Sequence, residues 1–376
     1  MPKVIILQRV VPNYRMALFQ RIWEELGWPV AFGQNLTTEG MSLKSSAPFL
    51  HGFKFSTSKL GMTKVPLGEI LTKFKPDAVI AEGALRLSST WQLLARRKFS
   101  NGPKVYFWST GYNTLKGLED QTSVGSQWIY PATFRHADGC LTYGDDGFNF
   151  LQPRIGTKPV FVAHNSIDMD EISRSRKGVQ ALPRRGFPEL VSVSRLTEVK
   201  EFVKLVQAHL LLLKSFPNVK LTIIGDGPTR TSIEDAAGQE LDRSIFLTGS
   251  IYDERETAGH MNRADAFVMT GRVGLAINHA LGYGLPVICF RRSNAGPFHG
   301  SEIAHLKNGI TGYFVDDYDV IKFADKLKSL FQFDPNMKSS MKQDLDAYVT
   351  THMSISRMMQ GFLNIKNHLQ IASTQN

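Results

Sequence analysis

Short, almost wholly apolar runs alternate along this chain with longer segments whose apolar residues recur at helical spacing. In the first half the runs are residues 4–7, 30–32, 78–81, 105–108, 139–143 and 160–162. The second half repeats the rhythm at 190–193, 219–224, 245–248, 266–269, 287–290 and 313–315. Runs with so little polar alternation are expected of strands covered on both faces, and their regular exchange with helices predicts two doubly wound parallel sheets in tandem, an α/β architecture.

Residues 173–188, rich in Arg, Ser, Gly and Pro and without clear periodicity, form the best linker between the halves. The expected division is therefore a first Rossmann-like domain over 1–172, the linker over 173–188, a second Rossmann-like domain over 189–345, and a C-terminal helix over 346–376. In that last stretch Ile355, Met358, Met359, Phe362, Ile365 and Leu369 follow Ser354, placed as an N-cap. Such an apolar face must be covered. Two surfaces are open to it, the second domain's own core and the first domain.

Length supports the division, since 376 residues exceed what one core usually organises, and 42% apolar residues suffice for two. The longest apolar run, Leu210 to Leu213, is far below the ~20 residues of a spanning helix. The N-terminus runs from Met1 straight into a strand without the features of a signal peptide, which points to a cytoplasmic protein. Cys140 and Cys289 both lie in strand-like runs and read as small buried hydrophobes rather than a disulfide or a metal pair. The net charge of +10 favours anionic partners. Its basic residues are scattered, and neither an RNA-binding aromatic signature nor zinc-ligand spacing accompanies them, so nucleic acid ranks last.

The candidate chemistry lies where second-half strands end, the usual ligand edge of open α/β sheets. After the strand at 190–193 come Arg195 and Lys200, a forked cation and a point charge suited to a diphosphate. Gly225-Asp226-Gly227-Pro228 follows the next strand and permits a tight turn with close backbone approach. Gly249 ends a third. Gly271-Arg272-Val273-Gly274-Leu275 then opens an Ala/Leu/Ile-rich helix carrying His279, and unpaired N–H groups at such a start favour an anion at Gly274 and Leu275. Glu302, on a short helix before the Asn308-Gly309 turn, completes the set. Individually each loop is as easily an ordinary turn or surface charge.

In order, these loops resemble the nucleotide-sugar half of the retaining glycosyltransferases of GT-B fold, family four within glycosyltransferase group 1. The resemblance is close over roughly 186–318, with Arg195, Lys200, Gly225 to Pro228, Gly249, Gly274, Leu275, Gly284, Pro286, Glu302, Gly309 and Gly312 in register. It implies two Rossmann-like domains facing a cleft, with a UDP-sugar or GDP-sugar as donor, no cofactor, and no metal, because no paired-aspartate motif is evident. It also implies that Arg195 and Lys200 neutralise the diphosphate leaving group while the N–H groups of Gly274 and Leu275 hold its oxygens. Gly225, Gly227, Gly249, Arg272 and Glu302 would line the donor site.

The chain also departs from the pattern. Relatives usually carry two glutamates eight positions apart, and here those positions are Gly271 and His279. The resemblance places the chain in a bacterial subgroup with histidine at the second position, where an imidazole could reach a ribose hydroxyl or the phosphates, or could instead bond within its own domain. The first half is similar more loosely. Pro12 and Arg15 stand at its first strand-to-helix turn, with Arg15 able to meet an acceptor phosphate. Thr110 and Gly111 occupy the loop where many relatives have a histidine. Glu82 is the carboxylate left to orient or deprotonate an acceptor hydroxyl, unless Arg86 pairs with it.

The implied function is transfer of a sugar to a glycan or lipid-linked acceptor in cell-surface polysaccharide synthesis at the inner face of a membrane. Tyr14, Leu18, Phe19, Ile22 and Trp23 form a helix face that suits either an anionic bilayer or a core. The missing acids leave two other readings open, a catalytically inactive nucleotide-binding scaffold and a GT-B nucleotide-sugar epimerase.

Overall fold

The computed structural model describes residues 2–36, 47–59, 61–112, 124–293 and 296–374. They form two compact units. Of the described residues, the first takes those up to Asp168 and those from Ile355 onward, and the second takes Met169–Ser354.

The first unit is built on β1 (Val4–Gln8), β2 (Val30–Gly33), β3 (Leu50–Phe53), the short antiparallel pair β4 (Ser56–Thr57) and β5 (Thr63–Lys64), then β6 (Ala78–Glu82), β7 (Lys104–Ser109), β8 (Gly139–Thr142) and β9 (Val160–Val162). Seven of these make one sheet in the order β3-β2-β1-β6-β7-β8-β9, parallel at every step. Val4, Ile6 and Ile80 face one core while Ile5, Val79 and Ala81 face the other, so both faces are covered and the runs carry no polar alternation. Edge strand β3 was not expected, because His51 and Gly52 interrupt its apolar run.

The C-terminal helix Ile355–Thr374 belongs to this first unit. Met358, Met359, Phe362, Ile365 and Leu369 are buried beside Phe19, Ile22 and Trp108. A Cβ at Gly361 would stand 2.7 Å from the Val162 carbonyl oxygen, so the helix lies directly on β9. The same core takes Leu18, Phe19 and Ile22, each at most 2% exposed, which removes the bilayer-facing reading of helix Met16–Leu26.

The second unit comprises β10 (Glu189–Val193), β11 (Lys220–Ile224), β12 (Ile245–Gly249), β13 (Ala266–Met269), β14 (Val287–Phe290) and β15 (Gly312–Val315), in the parallel order β12-β11-β10-β13-β14-β15. Here the expected linker is corrected. Residues Met169–Gly178 are helical and pack through Ile172 against Gly282, and Arg176 pairs with Asp346 at 2.6 Å. Only Ile172 and Ser175 of that helix are buried, a stripe too narrow to show as periodicity. The helix Lys342–His352 also stays in this unit, so the stretch expected as one C-terminal helix is two. Both cysteines are free and buried, in β8 and β14, where burial pushes their thiols well above the usual range. Among the described residues no helix is long and apolar enough to cross a membrane.

Candidate functional site

In the second unit the chain leaves β10 toward β11 on one side and later enters β13 on the other, so the loops after β10 and β13 meet at a topological switch point, where open parallel sheets leave a crevice. The two loops are tied together. The Arg272 N–H donates to the Val199 carbonyl at 2.8 Å, Lys200 Nζ donates to the Arg272 carbonyl at 2.7 Å, and the Thr270 hydroxyl donates to the Glu201 carbonyl at 2.8 Å. A Cβ at Gly271 would lie 2.3 Å from the Lys200 carbonyl carbon. The space a side chain at position 271 would take is therefore filled by backbone.

Burial pushes the Lys200 ammonium down to about 8, Arg272 adds to the shift, and Glu302 opposes it. Glu302 is itself only 6% exposed, and its Oε2 would be 3.7 Å from a Cβ on Gly274. Lys200, Arg272, Gly274 and Glu302 thus converge at the start of the helix Ala276–Gly282, with Leu275 as its N-cap residue. Arg195 sits exposed on the β10 loop.

The loop after β11 abuts that same β10 loop. Gly225 and Gly227 have φ of +148° and +156°, and Cβ atoms there would lie 1.9 Å from the Ser194 oxygen and 2.3 Å from the Leu196 oxygen. Only glycine fits both constraints. The Gly225 N–H donates to the Gly249 carbonyl at 2.8 Å, bringing in the end of β12. Loops from four separate stretches of sequence therefore form one edge.

His279 has a definite partner. Its Nε2 lies 2.9 Å from Glu254 Oε1, and the Tyr283 hydroxyl donates to the same oxygen at 2.5 Å. Burial pushes the Glu254 carboxyl up, but the bonds from His279 and Tyr283 outweigh this and hold it below the usual range. The imidazole thus bonds within its own unit, through a carboxylate from the first turn of helix Glu254–Arg263.

Sequence reasoning missed two supports of this site, Glu254 and His299. His299 is 3% exposed, accepts from the Val273 N–H at Nδ1 (3.1 Å), and donates from Nε2 to the Phe290 carbonyl at 3.0 Å. That pairing makes it the neutral tautomer, and burial pushes its value down to about 4. It braces the Gly271–Leu275 segment against β14. The signal available in the sequence was a buried-type histidine between Phe298 and Gly300, just ahead of Glu302.

In the first unit the expected residues also lie at C-terminal strand ends. The Glu82 carboxylate accepts from the Arg9 N–H at 3.1 Å, with the Arg9 guanidinium at 4.0 Å, so its partner comes from the β1 loop and not from Arg86. Thr110 donates its hydroxyl to the Tyr112 carbonyl at 2.8 Å, and Gly111 has φ of +84°. Pro12 precedes a short 3-10 turn, Asn13–Arg15, and Arg15 is buried at 5% exposure.

Residues 187–332 match the family model described as glycosyl transferases group 1. A curated relative, the alpha-monoglucosyldiacylglycerol synthase of Streptococcus pneumoniae, is 34% identical over 119 residues, which is 31% of this chain and 26% of that protein. The matches to curated relatives each span less than two thirds of the relative's length. Among solved structures, the sucrose-phosphate synthase of Thermosynechococcus elongatus superposes with a TM-score of 0.73 at 15% identity, covering 99% of this chain and 100% of that one. Anabaena HepE in complex with UDP gives 0.68 at 14% identity, covering 97% and 100%. Residues 187–332 are thus similar in sequence to the group 1 glycosyl transferases, and the two parallel sheets with their strand order give the chain the GT-B fold.

Proposed function

We propose that this protein is a retaining glycosyltransferase that moves a sugar from a nucleoside diphosphate sugar to an acceptor hydroxyl without a metal ion. The observation that carries the reading is the convergence of Lys200, Arg272, Gly274 and Glu302 at the β10/β13 switch point. In the transfer the bond from the anomeric carbon to the diphosphate oxygen breaks, and a bond to the acceptor oxygen forms on the same face. The acceptor's proton leaves with the diphosphate or on a carboxylate.

Negative charge grows on the departing diphosphate, so groups preorganised there stabilise the transition state more than the ground state. Lys200 is desolvated and releases more energy on meeting a dianion than an exposed lysine does. Arg195 adds a forked donor from the same loop, and the backbone at Gly274 and Leu275 opens a helix whose first N–H groups have no intrahelical acceptor. Gly225, Gly227 and Gly249 let backbone approach the nucleoside, and the Glu254–His279 pair offers a carboxylate and an imidazole to its ribose. UDP is the first candidate donor nucleotide, since HepE was solved with it. A glycan or lipid-linked acceptor is supported by the relative that is a monoglucosyldiacylglycerol synthase, and the basic chain suits an encounter with an anionic membrane face. On the first unit Glu82, Thr110, Gly111, Pro12 and Arg15 are the acceptor-side groups.

The filled Gly271 position favours a second reading, a nucleotide-binding scaffold without catalysis. A thermal-shift screen with UDP, GDP, ADP and their sugars separates the two when followed by product analysis. A transferase shows nucleotide stabilisation that falls in Arg195→Ala and Lys200→Ala, and sugar transfer with acceptor present. Stabilisation with the sugar–phosphate bond left intact supports the scaffold. No nucleotide response at all defeats both.

A further inference from the structure

Two arginines of the described chain are buried, and they are neutralised differently. Arg263, 5% exposed, pairs with Glu189 at 2.7 Å. Arg15, also 5% exposed, has no carboxylate partner among the described residues. Its Nη2 donates to Asn165 Oδ1 at 3.0 Å, and Nη1 has no acceptor among the described residues. The guanidinium carbon lies 4.4 Å from the Trp108 ring centroid, 4.9 Å from that of Tyr143 and 5.6 Å from that of Tyr14. The Trp108 Nε1 is a second buried donor without an acceptor among the described residues.

Ring faces offset part of the cost of a buried cation, and one neutral amide offsets a little more. Neither replaces a counter-ion, because an unpaired buried charge is among the most destabilising features a fold can carry. The guanidinium also stands where the chain enters helix Met16–Leu26, whose first turn has no acidic residue and no side-chain cap. Its positive end therefore adds to the positive potential. Of the three flanking rings only Tyr14 and Tyr143 reach the surface, so access to the cation lies past them.

We propose that Arg15 is the recognition point for an oxyanion, a phosphate or a carboxylate carried by the molecule that binds at the strand ends of the first unit. Naming that molecule the acceptor rests on the transferase reading; the oxyanion site does not. Nη1 takes one oxygen while Asn165 fixes the guanidinium plane, and forked geometry favours a planar or tetrahedral oxyanion over a halide.

The test uses the full chain at constant ionic strength, titrated with inorganic phosphate, with glucuronate and with neutral glucose, each with and without UDP, and followed by thermal melting and calorimetry. Wild type is expected to bind one of the two anions and not glucose, and the tighter arm tells phosphate from carboxylate. Arg15→Met removes the cation but keeps much of the apolar contact, so it should melt no lower than wild type while its anion affinity falls at least tenfold. Asn165→Asp places a carboxylate against Nη2 and should raise the melting temperature while abolishing the anion response. An anion response equal in wild type and either variant overturns the proposal, as does no response in wild type. Absence of any UDP response in all three proteins, with the anion response intact, defeats the transferase reading and leaves this site standing.

Discussion

Replacing Gly271 by alanine tests whether the loops after β10 and β13 are held as one piece. The new Cβ would stand 2.3 Å from the Lys200 carbonyl carbon, 2.4 Å from its oxygen and 2.5 Å from the Val199 oxygen. All three are backbone atoms, so no rotamer change relieves the clash. Restoring ordinary separations of about 3.5 Å moves the loop by roughly 1 Å. That displacement breaks the 2.8 Å bond from Arg272 to Val199 and the 2.7 Å bond from Lys200 to the Arg272 carbonyl. One neutral and one charged hydrogen bond are together worth about 3 kcal/mol. In a domain of this size, each kcal/mol moves the melting point by roughly 2–4 °C, so the second unit's transition should fall by about 6–12 °C. Because Lys200 moves with the loop, UDP affinity should fall as well. Calorimetry with and without UDP measures both, and Gly178→Ala, where a Cβ meets nothing within 4 Å, is the control and should melt at or slightly above wild type. A Gly271→Ala protein melting within about 1 °C of wild type, with unchanged UDP affinity, would refute the claim that these loops form one clamp.

Lys200 titrates near 8 when folded against an ordinary 10.5, so between those values the unfolded chain binds the extra proton and stability rises with pH. The rise is at most about 3 kcal/mol, and urea midpoints of Lys200→Met should lack that part of it. A bound diphosphate raises the lysine again, so UDP binding near about pH 9 should take up protons, seen as a buffer-dependent heat of binding. His299 is lowered from 6.5 to about 4, so its contribution is present above pH 6.5 and is lost as the pH falls toward 4. His299→Ala should cost about 2–4 kcal/mol by leaving the Val273 N–H and the Phe290 carbonyl unpaired, and its acid-unfolding profile should be flatter over that window. Glu254→Ala removes the acceptor shared by the His279 ring nitrogen and the Tyr283 hydroxyl and should cost about 2–4 kcal/mol in denaturant, whereas Glu254→Gln, which keeps an accepting oxygen, should cost less.

The sequence by itself was sufficient for every strand of the two parallel sheets except β3, and for which loops follow those strands. Both depend on local information: strands buried on two faces show as unbroken apolar runs, and glycines at 225 and 227 mark where backbone must turn and be approached closely. Where burial is one-sided or narrow the signal failed. β3 carries His51 and Gly52 at the sheet edge, and the helix Met169–Gly178 hides in a charged segment because only two of its side chains are buried. Partnership was decided by tertiary structure alone. Which carboxylate meets His279, which arginine meets Glu82, why no acid fits at position 271, and that Arg15 is buried without a counter-ion among the described residues all depend on residues distant in the chain. The C-terminal helix makes the same point, since its apolar stripe states that it must be covered, and only the packed sheet, with Val162 against Gly361, determines by which unit. Periodicity records how much surface a segment buries; which surface it meets is a property of the assembled chain.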